Sequence, residues 1–326
     1  MFASRKLSAG VFVFLVAISV AYYSYLLSPV SASADSLIKA VTIGGGLSFK
    51  DIAALLKAKG IIRSEAGFKI YSVLSGSAHT LKSGRYFFSE TMSTPEVVKR
   101  LVQGPPDIEV LIIEGKSLND IDAKLARLGL IQSGEIKNFP IADLKEKYDF
   151  LAGSRIKTLE GFLFPDTYRF APDSSPRVIL EKMLDNFKDK AGGINFNDLI
   201  IASMIEREVP AASDRALVSG IVRKRLSIKM PLQVDATVIY AKCGGFDNCP
   251  PLTKEDFRIK SNYNTYYHQG LPPAPIANPG LEAIQASQHP ETSSFLFYLS
   301  DPKTGKTLFS RTLEEHERKR AAVLGL

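Results

Sequence analysis

The 326-residue chain contains no tryptophan, only two cysteines and only four histidines. The histidines are scattered and show no metal-ligand spacing, and two cysteines alone do not complete a zinc site. We therefore predict no catalytic metal and expect no cofactor. Tryptophan is common on sugar-binding surfaces, so its absence weighs against tight polysaccharide binding, although tyrosine can substitute for it.

Blocks of Lys and Arg are also absent outside the C-terminal segment. The net charge of +7 is spread over a long chain and carries little information about partners. It is compatible with an anionic wall or with lipid headgroups, and more simply with a solvated surface. We expect no nucleic-acid partner.

Charge is missing altogether from residues 10–27, a run of eighteen residues that is just long enough to cross a bilayer. Arg5 and Lys6 precede this run. The pattern predicts a cytoplasmic N-terminus over 1–9, a transmembrane helix over 10–27, a linker over 28–40 and an extracytoplasmic remainder. The alternative is a cleaved signal peptide, because residues 31–34 (SASA) offer a small-residue cleavage site.

The two cysteines, Cys243 and Cys249, enclose the short segment GGFDN. In an oxidising compartment this spacing is typical of a local disulfide that fixes a loop. We therefore predict that they are bonded to each other.

An internal repeat relates residues 41–62 to residues 110–131. Each copy predicts a β-strand, a helix that begins at a serine and a glycine stop, with Ser48 and Gly60 in the first copy and Ser117 and Gly129 in the second. The first copy is expected to continue through a strand in 81–90 and a short helix in 94–104. A Gly-Pro-Pro hinge at 104–106 then separates one domain, 41–106, from another, 107–326.

The second domain is predicted to be mainly helical. Helices are expected from Pro176 to about 190, from an N-cap at Asn197 over 198–209, and from an N-cap at Ser213 to about 227, with residues 232–241 as strand or helix. Strands at 295–300 and 307–310 should form a hairpin across loop 301–305. Thr312 and Glu315 predict a capping box for a last, basic helix.

The helix over 198–209 is the first candidate for chemistry. It is apolar nearly all round from 199 to 205, which predicts burial, and it ends in Glu206 and Glu208. Burial raises the pKa of a carboxyl group, which is the property that a general acid needs near neutral pH. The two glutamates lie about 200° apart around a helix, so only one should face a given cleft. The pattern does not choose between them, and both could instead mark the point where the helix reaches solvent.

Residues 261–280 (SNYNTYYHQGLPPAPIANPG) form the second candidate. Four prolines fix the backbone of this segment and remove hydrogen-bond donors, so we expect a stiff loop. Tyr, Asn and Gln stack on sugars and bond to their hydroxyl and N-acetyl groups, which favours a carbohydrate cleft. A surface connection is the plainer alternative, although rigid loops are often functional.

Five segments, taken together and in order, carry a family resemblance. They are Glu160–Tyr168, Ala202–Glu208, Leu232–Tyr240, Ser261–Tyr266 and Gly270–Gly280. With them the chain resembles the YceG-like (MltG) family of endolytic murein transglycosylases along nearly all of its length after the apolar run. The first repeat also loosely resembles a LysM-like glycan-binding module, and a plain spacer is the alternative for it.

The resemblance implies an α+β fold made of an N-terminal transmembrane helix, a small LysM-like βα module and a mixed α/β catalytic domain. It also implies a single-pass protein of the bacterial inner membrane whose periplasmic domain cuts nascent peptidoglycan strands beside the peptidoglycan synthases. The family's catalytic glutamate is carried over to Glu206. This group would protonate the glycosidic oxygen and then accept the proton of the muramoyl C6 hydroxyl, which gives a 1,6-anhydromuramoyl end without consuming water.

The other motif residues are predicted to contact substrate. Gln233, Asp235 and Thr237 alternate, so in an extended stretch they would share a face and could hold a sugar or orient Glu206, although Asp235 could instead cap a helix. The remaining substrate-binding candidates are Asn264, Tyr266, Asn278, Glu160 and Asp166. For Glu160 and Asp166, which flank a proline-containing turn, a purely structural role is the alternative.

Two other functions remain open at this point. A non-catalytic wall-binding scaffold for the synthases would survive loss of Glu206. A true hydrolase would need a second carboxylate such as Asp235 and would leave reducing muramoyl ends.

Overall fold

The structure, a computed structural model, describes residues 2–32, 38–301 and 304–324. The chain divides into two compact units. The first runs to Ile108 and includes Ala171–Asp173, and the second comprises Glu109–Phe170 and the chain from Ser174 onward. Together they form a mixed α/β protein in which all sheets of the described chain have two strands.

The first unit combines a long N-terminal helix with a small two-stranded module. Its elements are α1 (Phe2–Leu27), β1 (Ile38–Ile43), α2 (Phe49–Ala58), α3 (Glu65–Leu74), β2 (Gly84–Ser89) and α4 (Thr94–Gln103). β1 and β2 are antiparallel, with Val41 opposite Tyr86. Alternate residues of both strands point into a core that α2, α3 and α4 complete with Leu56, Phe68 and Leu101.

The sequence predicted a transmembrane helix over 10–27 and, as the alternative, a signal peptide cleaved within 31–34. Within the part of the chain that is described, no helix has both the length and the apolar character of a membrane span. The signal-cleavage alternative falls partly on residues 33–37, which lie outside the described residues.

The second unit carries most of the helices. Its elements are β3 (Ile108–Leu111), which begins at the unit boundary, α5 (Leu118–Arg127), α6 (Ala142–Lys145), β4 (Thr167–Phe170), α7 (Pro176–Ala191), α8 (Phe196–Glu208), α9 (Ala212–Ser227), α10 (Asp235–Cys243), α11 (Leu281–Gln288), β5 (Phe297–Ser300), β6 (Thr307–Ser310) and α12 (Leu313–Leu324). β3 pairs with β4, and β5 pairs with β6 in an antiparallel hairpin.

Helix α8 is the centre of this unit. Every residue from Asp198 to Ile205 is buried, as the run of apolar residues predicted. Helices α9, α10 and α11 pack around it. The C-terminal end of α8, with its two glutamates, is thereby held at a fixed place among three other helices.

The repeat is confirmed in both copies. Ser48 and Ser117 each cap a helix by accepting the N–H of the third residue, and Asp51 and Asp120 complete a capping box in return. Gly60 and Gly129, which follow the two helices, adopt φ values of +65° and +73°. Only glycine adopts this conformation without strain, so both residues end their helices as predicted.

Several helix starts differ from the prediction by one or two residues. Asn195, not Asn197, caps α8 by accepting the Asp198 N–H. Helix α9 begins after Ala211 without a side-chain cap, so Ser213 is already inside it. Helix α3 was not predicted.

The structure also defines the segment over 232–241, for which strand and helix were both expected, and the C-terminal segment. Residues from Asp235 onward form a helix rather than a strand. The C-terminal hairpin is confirmed, although residues 302–303 of its loop lie outside the described residues. Before α12, Thr312 accepts the Glu315 N–H as predicted, but the Glu315 carboxylate bonds to the Arg311 N–H instead of closing the box on Thr312.

The two caps of the repeat provide a test of this architecture. Ser48 is exposed, whereas Ser117 is buried and its partner Asp120 also accepts the N–H groups of Phe246 and Asp247. We predict that Ser48→Ala lowers the free energy of unfolding by about 1 kcal/mol, and that Ser117→Ala lowers it by about 2 kcal/mol or more, because it also disturbs a buried network. Urea denaturation measures both, and equal losses would contradict the assigned difference.

Candidate active site

The two glutamates at the end of α8 lie in different surroundings. The Glu206 side chain is 6% exposed and forms a two-point ion pair with Arg215 of α9, at 3.0 Å between Nη2 and Oε1 and 3.4 Å between Nη1 and Oε2. Its Oε2 also accepts the Gly280 N–H at 3.0 Å. Both oxygens of Glu206 are therefore occupied by donors of the protein itself.

Arg215, on α9, links this helix to α8 and α11. Its Nε donates to the Val209 carbonyl at 3.2 Å, so its guanidinium holds the chain on both sides of Glu208. Its Nη1 also lies 3.7 Å from Oε2 of Glu282, an exposed residue of α11. A Cβ atom at position 280 would collide with the Glu114 carboxylate, so the Glu114 side chain would have to move if another residue replaced Gly280.

A shallow cleft of about 540 Å³ opens beside Glu206. It is lined by residues 111–114 and by Pro165, Asp166 and Thr167. Burial raises the pKa of Glu114, and the negative charge of Glu206 adds to this effect. Of the predicted substrate-binding residues, only Asp166 accompanies Glu206 in this cleft.

Glu208 faces a second, larger cleft of about 750 Å³. Its Oε1 accepts the Ala236 N–H at 3.0 Å, in the first turn of α10, and no group of the described chain is bonded to its Oε2. Ser300 of the hairpin donates to its backbone carbonyl at 2.8 Å. One oxygen of Glu208 is thus anchored and the other is open toward the cleft.

Burial raises the pKa of Glu208 from its ordinary value of 4.5 to about 7, and the charge of Asp235 acts in the same direction. The Ala236 N–H and Arg207 lower it, but by less than burial raises it. A carboxyl group with this pKa holds a proton in a substantial fraction of molecules near neutral pH. This is the property of a general acid.

Three predicted substrate-binding residues converge on the Glu208 cleft: Gln233, Asp235 and Tyr266. The Tyr266 hydroxyl donates to the Asp235 carboxylate at 2.6 Å. Gln233 adopts φ of +52°, a strained conformation for a residue with a side chain. Backbone strain of this kind is concentrated at functional sites, so its place in the cleft supports a role in binding.

The chain is similar to known proteins along most of its length. The model of the YceG-like family matches residues 41–322. The chain belongs to the YceG-like family. It is similar to a Bacillus subtilis protein named endolytic murein transglycosylase, with 31% identity over 91% of this chain and 88% of that protein. A Streptococcus pneumoniae protein of the same name shares 28% identity, and there the match covers 91% of this chain but 60% of the relative.

A solved structure from the family also matches. The crystal structure of a YceG-like protein from Listeria monocytogenes aligns with a TM-score of 0.58 and 30% sequence identity. The alignment covers 87% of this chain and all of the Listeria chain.

Glu160 and Asn278, two of the predicted substrate-binding residues, are buried and bond to other groups of the protein. Glu160 accepts the Leu118 N–H at 2.9 Å and the Tyr240 hydroxyl at 2.9 Å. Asn278 donates to Glu160 at 3.2 Å and accepts the Leu163 N–H at 2.8 Å. Burial raises the pKa of Glu160 to about 8, so this carboxyl is a structural centre that joins three segments of the family motif.

Thr237 and Asn264, two more of the predicted substrate-binding residues, are also fully buried. The Thr237 and Thr265 hydroxyls are 2.9 Å apart, and Thr265 also accepts the Val234 N–H at 2.9 Å. Asn264 donates to two backbone carbonyls of its own loop. The predicted shared face of Gln233, Asp235 and Thr237 is wrong because a helix starts at Asp235 and turns Thr237 inward.

The cysteines form a disulfide between Cys243 and Cys249, at the end of α10. The loop that they close is held by Asp120, whose carboxylate accepts the N–H groups of Phe246 and Asp247. The guanidinium of Arg207 lies 3.9 Å above the Phe246 ring. The residue between the two glutamates therefore packs on the disulfide loop.

Two functional residues had no signal in the sequence. Arg215 meets Glu206 only because α9 packs back against α8. Tyr298, which also lines the Glu208 cleft, reaches it because the C-terminal hairpin folds over that face. Burial raises the pKa of Tyr298, and the charge of Glu208 adds to this effect.

The buried ion pair leads to a stability prediction. Arg215→Met would leave the Glu206 carboxylate buried without its cation, and we expect a loss of about 3–5 kcal/mol in the free energy of unfolding. Arg169→Met is the matched control, because Arg169 pairs with Glu109 at 3.0 Å on the surface and its loss should cost less than about 1 kcal/mol. Urea denaturation of the two variants compares them, and similar losses would refute the structural role of Arg215.

Proposed function

We propose that this chain is an endolytic murein transglycosylase that cuts the bond between N-acetylmuramic acid and N-acetylglucosamine, with Glu208 as its acid and base. The observation that carries the proposal is the Glu208 cleft, where one carboxyl with a pKa raised to about 7 meets Gln233, Asp235 and Tyr266. The family relationship supports the same activity. The product is a strand with a 1,6-anhydromuramoyl end.

The reaction uses Glu208 twice. Its protonated carboxyl donates the proton to the glycosidic oxygen, and the bond from that oxygen to C1 of the muramoyl residue breaks. The resulting carboxylate then takes the proton of the C6 hydroxyl as O6 bonds to C1. The carboxyl regains its proton, the ring closes, and no water is consumed.

Neighbouring groups support both halves of this cycle. The Ala236 N–H, at the N-terminus of α10, stabilises the carboxylate that forms after the first step. Asp235, held by the Tyr266 hydroxyl, places a second negative charge near the positive charge that develops at C1. Gln233 supplies amide groups for the sugar hydroxyl or N-acetyl groups.

The assignment of the acid is decided by a matched pair of variants. Glu206 stays the residue that the resemblance predicted, but its two oxygens are occupied by Arg215 and Gly280, whereas one oxygen of Glu208 is open. We predict that Glu208→Gln lowers kcat by at least about 1,000-fold, because it removes the proton donor, and that Glu206→Gln lowers it by less than about 30-fold. The measurement is mass spectrometry of anhydromuramoyl ends from uncrosslinked strands. The reverse order of effects would return the catalytic role to Glu206.

The pH dependence tests the same carboxyl independently. Folding raises the Glu208 pKa from 4.5 to about 7, so the native state holds a proton in this window that the unfolded state releases. Stability therefore falls as pH rises from about 5 to 8, and kcat/KM falls above about pH 7 as the acid ionises. Glu208→Gln should raise the melting temperature at pH 8 more than at pH 5. An equal shift at both values would contradict the raised pKa.

A muramidase-type hydrolase is the second candidate, because Asp235 shares the cleft with Glu208 and could activate a water. The two reactions differ in product. A hydrolase leaves reducing muramoyl ends and loses all activity in Asp235→Asn, whereas a transglycosylase leaves anhydro ends. A scaffold without catalysis would bind glycan and leave it uncut.

We also propose that residues 10–27 anchor the chain in the inner membrane, with the catalytic unit in the periplasm beside the peptidoglycan synthases. The support is the uncharged run behind Arg5 and Lys6, together with exposed apolar side chains along α1, including Phe12 and Phe14. The module over 41–106 is proposed to bind glycan in the manner of a LysM-like domain. Membrane fractionation and glycan pull-down with the full chain test these two points.

A further inference from the structure

Arg225, on α9, is a buried cation in the same cleft as Glu208. It is 6% exposed, and within the described chain no carboxylate lies at ion-pair distance from it. Its Nε and Nη1 donate to the carbonyls of Leu296 and Leu232 at 2.6 and 2.7 Å, and its guanidinium lies 5.1 Å from the Phe297 ring. Arginine is almost never this buried unless it is paired with an anion.

The donors of Arg225 are only partly used. Nη1 also reaches the Pro231 carbonyl at 3.5 Å, but no acceptor in the described residues bonds to Nη2. Nη2 is also not among the buried side-chain atoms that lack a partner. It therefore keeps contact with the open space of the cleft, where a ligand could accept its two N–H groups.

Two more cations line the cleft: Lys254, and Arg320, which belongs to α12. Arg320 lies 3.6 Å from Glu317, but both side chains are more than half exposed, so this pair is weak. Lys254 is exposed as well. The cleft thus combines one buried cation with two mobile, solvated cations at its rim.

Two tyrosines also line the cleft, Tyr266 and Tyr298. The pKa of Tyr298 is raised by burial and by Glu208, and Arg225 opposes that rise. The pKa of Tyr266 is raised by burial and by Asp235, and Arg320 opposes that rise. The cleft therefore carries charges of both signs, with Glu317 as a further carboxylate among its lining residues.

We propose that Arg225, Lys254 and Arg320 form an anion subsite that binds a carboxylate of the stem peptide on the muramoyl residue. This inference rests on the proposed function, because that function places a muramoyl residue beside Glu208. The sugars themselves are uncharged, so the anions of a strand belong to its peptides or to the diphosphate of a lipid carrier at its growing end. Peptide carboxylates are distributed along the whole strand, which fits a cut within it.

The test compares three substrates with the full chain in detergent. They are uncrosslinked strands with stem peptides, the same strands after amidation has neutralised the carboxylates of the stem peptides, and lipid-linked strands that retain the diphosphate. We expect the wild type to have a KM about threefold or more lower for strands with free peptide carboxylates than for amidated strands. Arg320→Gln and Lys254→Gln should each reduce this preference by about two- to fivefold, and added salt should do the same.

Arg318→Gln is the matched control, since it removes a cation from an exposed part of the same helix that does not line the cleft. It should keep the preference of the wild type. Equal KM values for strands with free peptide carboxylates and for amidated strands, with cleavage of both, would overturn the subsite while leaving the proposed function intact. A preference that follows only the lipid diphosphate would overturn the peptide assignment. Cleavage of none of the strands would instead reject the proposed function.

Discussion

The buried ion pair between Glu206 and Arg215 is the contact on which the geometry of the Glu208 cleft depends. It joins α8 to α9, reaches α11 through the Gly280 N–H, and holds the chain beyond α8 through the Val209 carbonyl. Glu208 lies between Glu206 and Val209, the two residues to which Arg215 is bonded. A carboxyl that must stay in an unfavourable, desolvated place is held there because its neighbours on both sides are fixed.

Two glutamates separated by one residue can thus have opposite tasks. Both oxygens of Glu206 accept hydrogen bonds from Arg215 and Gly280, whereas Glu208 accepts a single side-chain hydrogen bond, from the Ala236 N–H, and burial raises its pKa to about 7. The helix itself makes this possible, because the two side chains point to nearly opposite sides. The positions of Glu206 and Glu208 in the sequence do not show which of the two has which surroundings.

Local signals in the sequence predicted local structure well. The repeat, with its serine caps and glycine stops at Ser48, Ser117, Gly60 and Gly129, needed only neighbouring residues, and so did the burial of α8. The sequence did not show which polar residues bond to other groups of the protein. Asn278 and Glu160 carry groups that could bind a sugar, but tertiary packing brings them together, and they satisfy each other and the backbone of three segments. No pattern within either segment contains that information.

Three features of the Glu208 cleft each lower the stability of the fold. A desolvated carboxyl at Glu208, a left-handed backbone at Gln233 and an arginine without a counter-ion at Arg225 each cost free energy in the absence of a ligand. A fold selected for stability alone would remove all three. We propose that a bound strand offsets these costs, because its sugar accepts the proton of Glu208 and bonds to Gln233, and its stem peptide brings a carboxylate to Arg225. The same three features that weaken the empty protein therefore favour the bound state, and the rigid scaffold of α8, α9 and α11 keeps them in place until a strand arrives.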